Sequence, residues 1–380
     1  MRIVIAPDSY KGSLSAVEVA NAMEKGALAV FPHAEIIKVP IADGGEGTID
    51  ALLTATNGYK LYETVRGPLG RNVQAQWGIL GDNKTAVIEM AAASGITLVS
   101  EDELDPLRAT TYGTGQLIKA ALDRGLRKIV IGIGGSATND GGVGMAKSLG
   151  VRFLDKWAND VPEGGVGLKD LAEIDITGLD KRLAETNILV ACDVDNPLCG
   201  EKGASAVYGP QKGTTPMMVK MLDQALYNYA NIAARVCGKD ILNYAGAGAA
   251  GGLGAGLLLF TKANIRPGIE VVLSAGNFAT KVQDADLVIT GEGNTDCQTA
   301  YGKAPIGVAK IAKQFNVPVV CLSGGLGEGY QAVLKAGIDG VMSIVPKPMT
   351  LNECITGAKP LLTEATSRLC QLINIGTKFR

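Results

Sequence analysis

A chain of 380 residues is too long for one comfortable hydrophobic core, so two domains are expected. Its 47% hydrophobic and 19% charged residues exclude a disordered chain, and a formal charge of −2 with no basic run excludes a general attraction to nucleic acid. The fifty glycines sit in loops of differing sequence without a fixed period, which excludes collagen-like and low-complexity readings.

In chain order, Ile3 to Ala6 reads as a buried strand and Pro7 to Ser13 as the loop after it. A helix starts at the Ser15-x-x-Glu18 capping box, with an apolar face of Val17, Ala20, Met23, Ala27 and Leu28. Ile36 to Ile41 is a second strand, running through Ala42-Asp-Gly-Gly-Glu-Gly-Thr48 into a helix that ends at Asn57-Gly58. Two strand–loop–helix units in tandem predict a parallel sheet with its functional loops at the strand C-termini.

The pattern then changes. Tyr62 to Arg66, Val73 to Leu80 and Thr85 to Met90 are strand-like and joined by hairpin connections, which predicts antiparallel pairing. Gly113 to Gly125 is helical. Ile129 to Ile131 is a buried strand opening into Gly132-Ile-Gly-Gly-Ser-Ala-Thr-Asn-Asp-Gly-Gly142, with a helix from about Gly144. A strand passing through such a loop onto a helix start is an expected anion cradle. Ile188 to Ala191 is a strand feeding Cys192-Asp-Val-Asp-Asn-Pro197. Helices follow over about 215–236 and 246–260.

From Asp284 the simple alternation returns. Leu287 to Thr290 is a strand, Gly291 to Lys303 a loop, 305–315 a helix and 317–322 a strand that turns at Gly324-Gly325. Val341 to Val345 is the last strand, before a helix over about 351–373. The two ends share one style and the middle has another. The expected organisation is α/β: a discontinuous outer domain of residues 1–63 and 284–380, with a second mixed α/β domain, 64–283, inserted.

Several chemistries are excluded. His33 is the only histidine, which leaves histidine bases and most zinc sites without material. Seven scattered cysteines with no Cys-x-x-Cys read as reduced thiols of a cytoplasmic protein. No apolar run reaches the ~18 residues of a membrane span, and the 2–7 strand is too short for a signal core. Glycine loops rich in carboxylates and lysines suit phosphoryl transfer, yet no Gly-x-x-x-x-Gly-Lys-Ser/Thr occurs, which excludes a P-loop enzyme.

Ala6-Pro-Asp-Ser-Tyr-Lys-Gly, Ala42-Asp-Gly-Gly-Glu-Gly-Thr, Gly132 to Gly142, Gly209-Pro-Gln-Lys-Gly, Gly246-Ala-Gly-Ala-Ala-Gly-Gly and Thr290-Gly-Glu-Gly…Asp296…Gly302-Lys303 resemble, in order, the motifs of the bacterial class I glycerate kinases. The resemblance spans essentially the whole chain. It implies ATP- and Mg²⁺-dependent phosphorylation of D-glycerate at the 2-hydroxyl, a Rossmann-like outer domain and an active site in the cleft between the domains. A homodimer is one expected assembly. One departure stands out: Asn294 occupies a position where the family motif has arginine, a planar cation suited to bidentate contacts.

Within that reading, Asp193 and Asp296 are the expected acidic pair, one for Mg²⁺ and one for the acceptor hydroxyl. Lys11, Lys212 and Lys303 are expected to meet substrate carboxylate or phosphates. Asp8, Ser9, Asp43, Glu46 and Asn196 complete the expected substrate set. Gly134, Gly135, Ser136, Thr138, Asn139 and Asp140, with Glu292, form the expected nucleotide set. Two alternatives stay open: an NAD(P)-dependent hydroxy-acid oxidoreductase, against which no strand is followed by Gly-x-Gly-x-x-Gly with an acid about 20 residues later, and a non-catalytic metabolite sensor.

Overall fold

The computed structural model describes residues 1–42, 44, 45 and 47–376. The chain divides into two compact units: Met1–Asp43, Asp50–Asn57 and Val272–Arg380 form the first, Gly44–Ile49 and Gly58–Val271 the second.

The first unit is built on a five-stranded sheet in the order Gly340–Ser343, Val319–Leu326, Leu287–Thr295, Arg2–Pro7, Glu35–Lys38. Every pairing is parallel. The strands are apolar and buried: Ile3, Ile5, Ile289 and Leu322 pack with Met23, Leu362 and Leu369 from the helices Ala16–Leu28 and Ala358–Gly376, and the Ala304–Gln314 helix also lies against Arg2–Pro7 and Leu287–Thr295. The Ala16–Leu28 helix carries its full Ser15/Glu18 capping box. From the Arg2–Pro7 strand the chain moves first to one side, to Glu35–Lys38, then returns to build the other. That reversal lies between Arg2–Pro7 and Leu287–Thr295, where open α/β sheets gather their ligands.

Two expected turns are strand instead. Leu287–Thr295 continues through Gly291 to Thr295, and Val319–Leu326 continues through Gly324-Gly325, with Asn294 opposite Gly325 and Thr295 opposite Leu326. The glycines serve close backbone approach: a Cβ on Gly324 would stand 2.4 Å from the Gly293 carbonyl oxygen. A turn and a strand edge crossed by another backbone need the same residue type.

The second unit has a six-stranded sheet in the order Ala263–Arg266, Asn187–Ala191, Lys128–Gly132, Thr85–Glu89, Asn72–Ile79, Tyr59–Arg66. The first four strands run parallel, and the last two complete antiparallel hairpins, as the short connections predicted. Trp77, Ile88, Ile131, Leu117 and Leu253 fill one core, and Phe153, Leu226, Tyr229 and Phe260 another. Ala263–Arg266 is a strand that the sequence did not announce, and the Ala249–Phe260 helix, expected over about 246–260, opens with left-handed residues at Ala250, Gly251 and Gly252. Gly251 is pressed against the 132–142 loop, where a Cβ would lie 1.9 Å from the Thr138 carbonyl oxygen. Among the described residues no helix is long and apolar enough to cross a membrane.

Candidate active site

In the second unit the four parallel strands end in one row, with Glu89, Gly132, Ala191 and Arg266 as lateral neighbours. Two of the loops singled out in the sequence meet there. Gly44, at φ +89°, lies so close that a Cβ would sit 2.6 Å from the Ala191 methyl, and a Cβ on Gly132 would stand 2.3 Å from the Gly44 carbonyl oxygen. Gly134 likewise faces Gly45. Glycine is required at these positions because backbone passes over backbone.

The 132–142 loop divides into an exposed tip and a buried foundation. Gly134 and Gly135 are exposed, while Ser136, Thr138, Asn139 and Asp140 are buried. Asp140 Oδ2 accepts from the Thr111 amide and hydroxyl at 2.8 Å each and from the Gly144 amide at 3.1 Å, and Oδ1 accepts from the Gly142 amide at 3.1 Å. The anion expected at this helix start is therefore supplied by the protein itself. Burial pushes the Asp140 carboxyl up, and the four donors pull it back. Asn139 donates to Ser205 Oγ at 2.8 Å.

Lys212 lies beneath the same loop. It is 1% exposed, and its Nζ donates to Ser136 Oγ at 2.7 Å and the Thr138 carbonyl at 2.6 Å. Burial pushes its ammonium down to about 7, with the Asp140 charge opposing. A neutral amine still has two protons for these two acceptors. Far from reaching into solvent, Lys212 staples the loop from inside.

Asp193 follows the Asn187–Ala191 strand. It is exposed, and its Oδ1 accepts from the Gly268 amide at 2.7 Å. Asn196 is engaged structurally, donating to the Lys202 carbonyl and accepting from the Tyr208 hydroxyl at 2.6 Å. Asp43 and Glu46 lie outside the described residues.

In the first unit the charged residues gather where the sheet reverses. The Asp8 amide donates to the Gly291 carbonyl at 2.8 Å, the Tyr10 hydroxyl to the Leu322 carbonyl at 3.0 Å, and Gly293 faces the Tyr10–Lys11 backbone. The loop carrying Asp8, Ser9 and exposed Lys11 thus lies across the ends of Leu287–Thr295 and Val319–Leu326. Glu292 is buried, accepting from Thr299 Oγ1 at 2.7 Å and Thr295 Oγ1 at 3.0 Å; burial pushes its carboxyl up. Asp296 caps the short Cys297–Tyr301 turn, accepting from the amides of Gln298 and Thr299. Its other neighbours are Lys303 Nζ at 3.6 Å and the Asn294 amide at 3.3 Å. Asn294 thus donates to Asp296, leaving a single neutral contact where arginine would offer a charged fork.

Among the described residues no three His, Cys, Asp or Glu gather into a metal-holding group. Asp193, exposed, and Asp296, partly exposed, are single carboxylates of the kind Mg²⁺ takes, its shell being completed by phosphates and water.

Sequence reasoning missed Glu89, whose Oε1 accepts from the Ile49 amide at 2.7 Å across forty residues of chain. A glutamate ending an apolar β run carries no local signal; only the register places it beside Gly132.

Comparison with known proteins gives a consistent set of relatives. The model described as "Glycerate kinase family" matches residues 3–374. A glycerate kinase of Bacillus subtilis (strain 168) is 52% identical over 368 residues, covering 97% of this chain and 96% of the relative. A glycerate 2-kinase of Escherichia coli (strain K12) is 49% identical over 378 residues, covering 100% and 99%. A crystal structure provisionally assigned as a glycerate kinase 2 from Salmonella typhimurium LT2 superposes with a TM-score of 0.91 at 50% identity, covering 100% of this chain and 99% of that one.

Proposed function

Because this chain belongs to the glycerate kinase family, we propose that it transfers the γ-phosphoryl group of ATP to D-glycerate, at the 2-hydroxyl. The observation that carries the reading is identity near 50% along the full length of glycerate kinases, with every quoted motif falling inside the matched residues. Neither the oxidoreductase nor the sensor alternative draws support from these relatives.

The chemistry asks for positioning and charge stabilisation more than for a strong base. In the second unit the exposed Gly134–Gly135 tip meets nucleotide phosphates, because backbone amides without side chains allow close approach. Ser136, Thr138, Asn139 and Asp140 are its foundation and Lys212 its staple. In the first unit Lys303, Lys11 and the Asp8–Ser9 segment meet the anionic groups of substrate or nucleotide, with Glu292 fixing the Thr295–Thr299 turn beneath them. One of Asp193 and Asp296 orients the acceptor hydroxyl, and the other is the protein ligand of Mg²⁺. That ion, when bound, neutralises charge building on the transferring phosphoryl group. The enzyme is read as cytoplasmic, in keeping with seven free cysteines.

The test is glycerate-dependent ADP release by purified protein with ATP and Mg²⁺, with the product's phosphate position read by NMR. No ADP above the glycerate-free background would sink the kinase reading. A 3-phosphoglycerate product would overturn the regiochemistry alone.

A further inference from the structure

Glu89 belongs to no expected set, yet it stands where two glycine loops are pressed together. It ends the Thr85–Glu89 strand opposite Gly132, and its Oε1 accepts from the Ile49 amide at 2.7 Å. One residue earlier, fully buried Thr48 turns both its amide and its Oγ1 onto the Gly45 carbonyl, the latter at 2.8 Å. Thr48 is therefore joined to Gly45, and the chain at Ile49 is tied to the sheet by Glu89. Gly44 in turn rests on Ala191 and Gly132 with no room for a methyl group on itself or on Gly132, and Gly45 faces Gly134.

A loop of this composition does not hold such a place unaided. Glycine backbone loses more freedom on ordering than any other. A hydrogen bond from the Ile49 amide into the sheet offsets part of that cost, and an amide oxygen can accept it as a carboxylate oxygen does. We propose that Glu89 is a positioning residue of the kinase reaction, holding Gly44 and Gly45 against Gly132 and Gly134 so that the exposed 134–135 tip keeps its shape for nucleotide phosphates. This rests on the reading of that tip given above.

The roles separate by variant. Glu89→Gln keeps an oxygen to accept the Ile49 amide, whereas Glu89→Ala removes it. Steady-state kinetics should show the KM for ATP rising about fivefold or more in Glu89→Ala, with the KM for D-glycerate within about twofold of wild type and Glu89→Gln close to wild type. Thr48→Val keeps side-chain volume, loses the second tie and should move the ATP KM the same way. It carries the test if Glu89→Ala does not fold. Equal impairment in Glu89→Gln and Glu89→Ala would overturn the proposal, since the carboxylate charge would then act directly. So would a fall in kcat alone with both KM values unchanged, the mark of a smaller folded fraction. Absence of turnover in the wild-type protein would instead condemn the proposed function.

Discussion

The 132–142 loop of the second unit and the 291–303 segment of the first read alike in sequence, as polar, glycine-punctuated stretches after apolar strands, yet they fold by opposite logic. The former turns its polar side chains inward: Asp140 takes four donors, and Lys212 is buried below it. The latter continues as strand and leaves Asn294, Asp296 and Lys303 partly or largely in solvent. The difference teaches that polarity in a glycine loop has two uses. Buried, it fixes a backbone shape; exposed, it meets a ligand. Side chains in the first class should govern stability and those in the second turnover.

The largest expected effect is on the buried side. Asp140→Ala strands the amides of Thr111, Gly142 and Gly144, and should cost about 3–5 kcal/mol in denaturant unfolding. A loss under about 1 kcal/mol would break the comparison at its foundation.

Lys212 sharpens it through pH. Its folded pKa of about 7 lies below the ordinary lysine value of 10.5, so between these the unfolded chain binds more protons and this residue's contribution to stability rises with pH. Below about 7 both states are protonated and the slope vanishes. Lys212→Met should flatten the profile between pH 7 and 10 by up to about 1.4 kcal/mol per pH unit, read as the difference between wild-type and variant unfolding curves. Parallel curves would mean that the buried amine is not titrating.

On the exposed side, Asp296→Asn and Asp193→Asn should each lower turnover by about tenfold or more, roughly 1.4 kcal/mol of barrier, with the denaturant midpoint nearly unchanged. Near-normal rates in both variants would show that the acids lie elsewhere. The Lys303–Asp296 ion pair adds little to stability, because exposed pairs contribute about 0–1 kcal/mol.

The smallest effect concerns Asn294. Asn294→Arg places a planar cation beside Asp296 and should raise kcat/KM a few-fold, under about 1 kcal/mol. A fall instead would mean that the neutral amide is suited to this site as it stands.

Much of the architecture was legible because the period of apolar residues is a local property. The Ile3–Ala6 and Ile129–Ile131 runs, the Ser15/Glu18 box and the hairpins after Tyr62 announce themselves within a few residues. Gly291–Thr295 and Gly324-Gly325 misled because glycine serves a turn and a crossed strand equally well, and only the neighbouring backbone says which. The site divides the same way. Residue types suited to phosphoryl transfer were visible, but the burial of Lys212 and the pairing of Asp140 with Thr111 join segments far apart in the chain.

Sequence alone thus determined the family, through the order of its motifs, and the α/β class, through the period of its apolar residues. Only the tertiary structure decided which polar groups in the glycine loops face solvent and which hold the backbone. That choice rests on desolvation: a carboxylate or ammonium can be buried only where partners converge on it. The partners of Asp140, Lys212 and Glu89 come from strands and loops that only folding brings together.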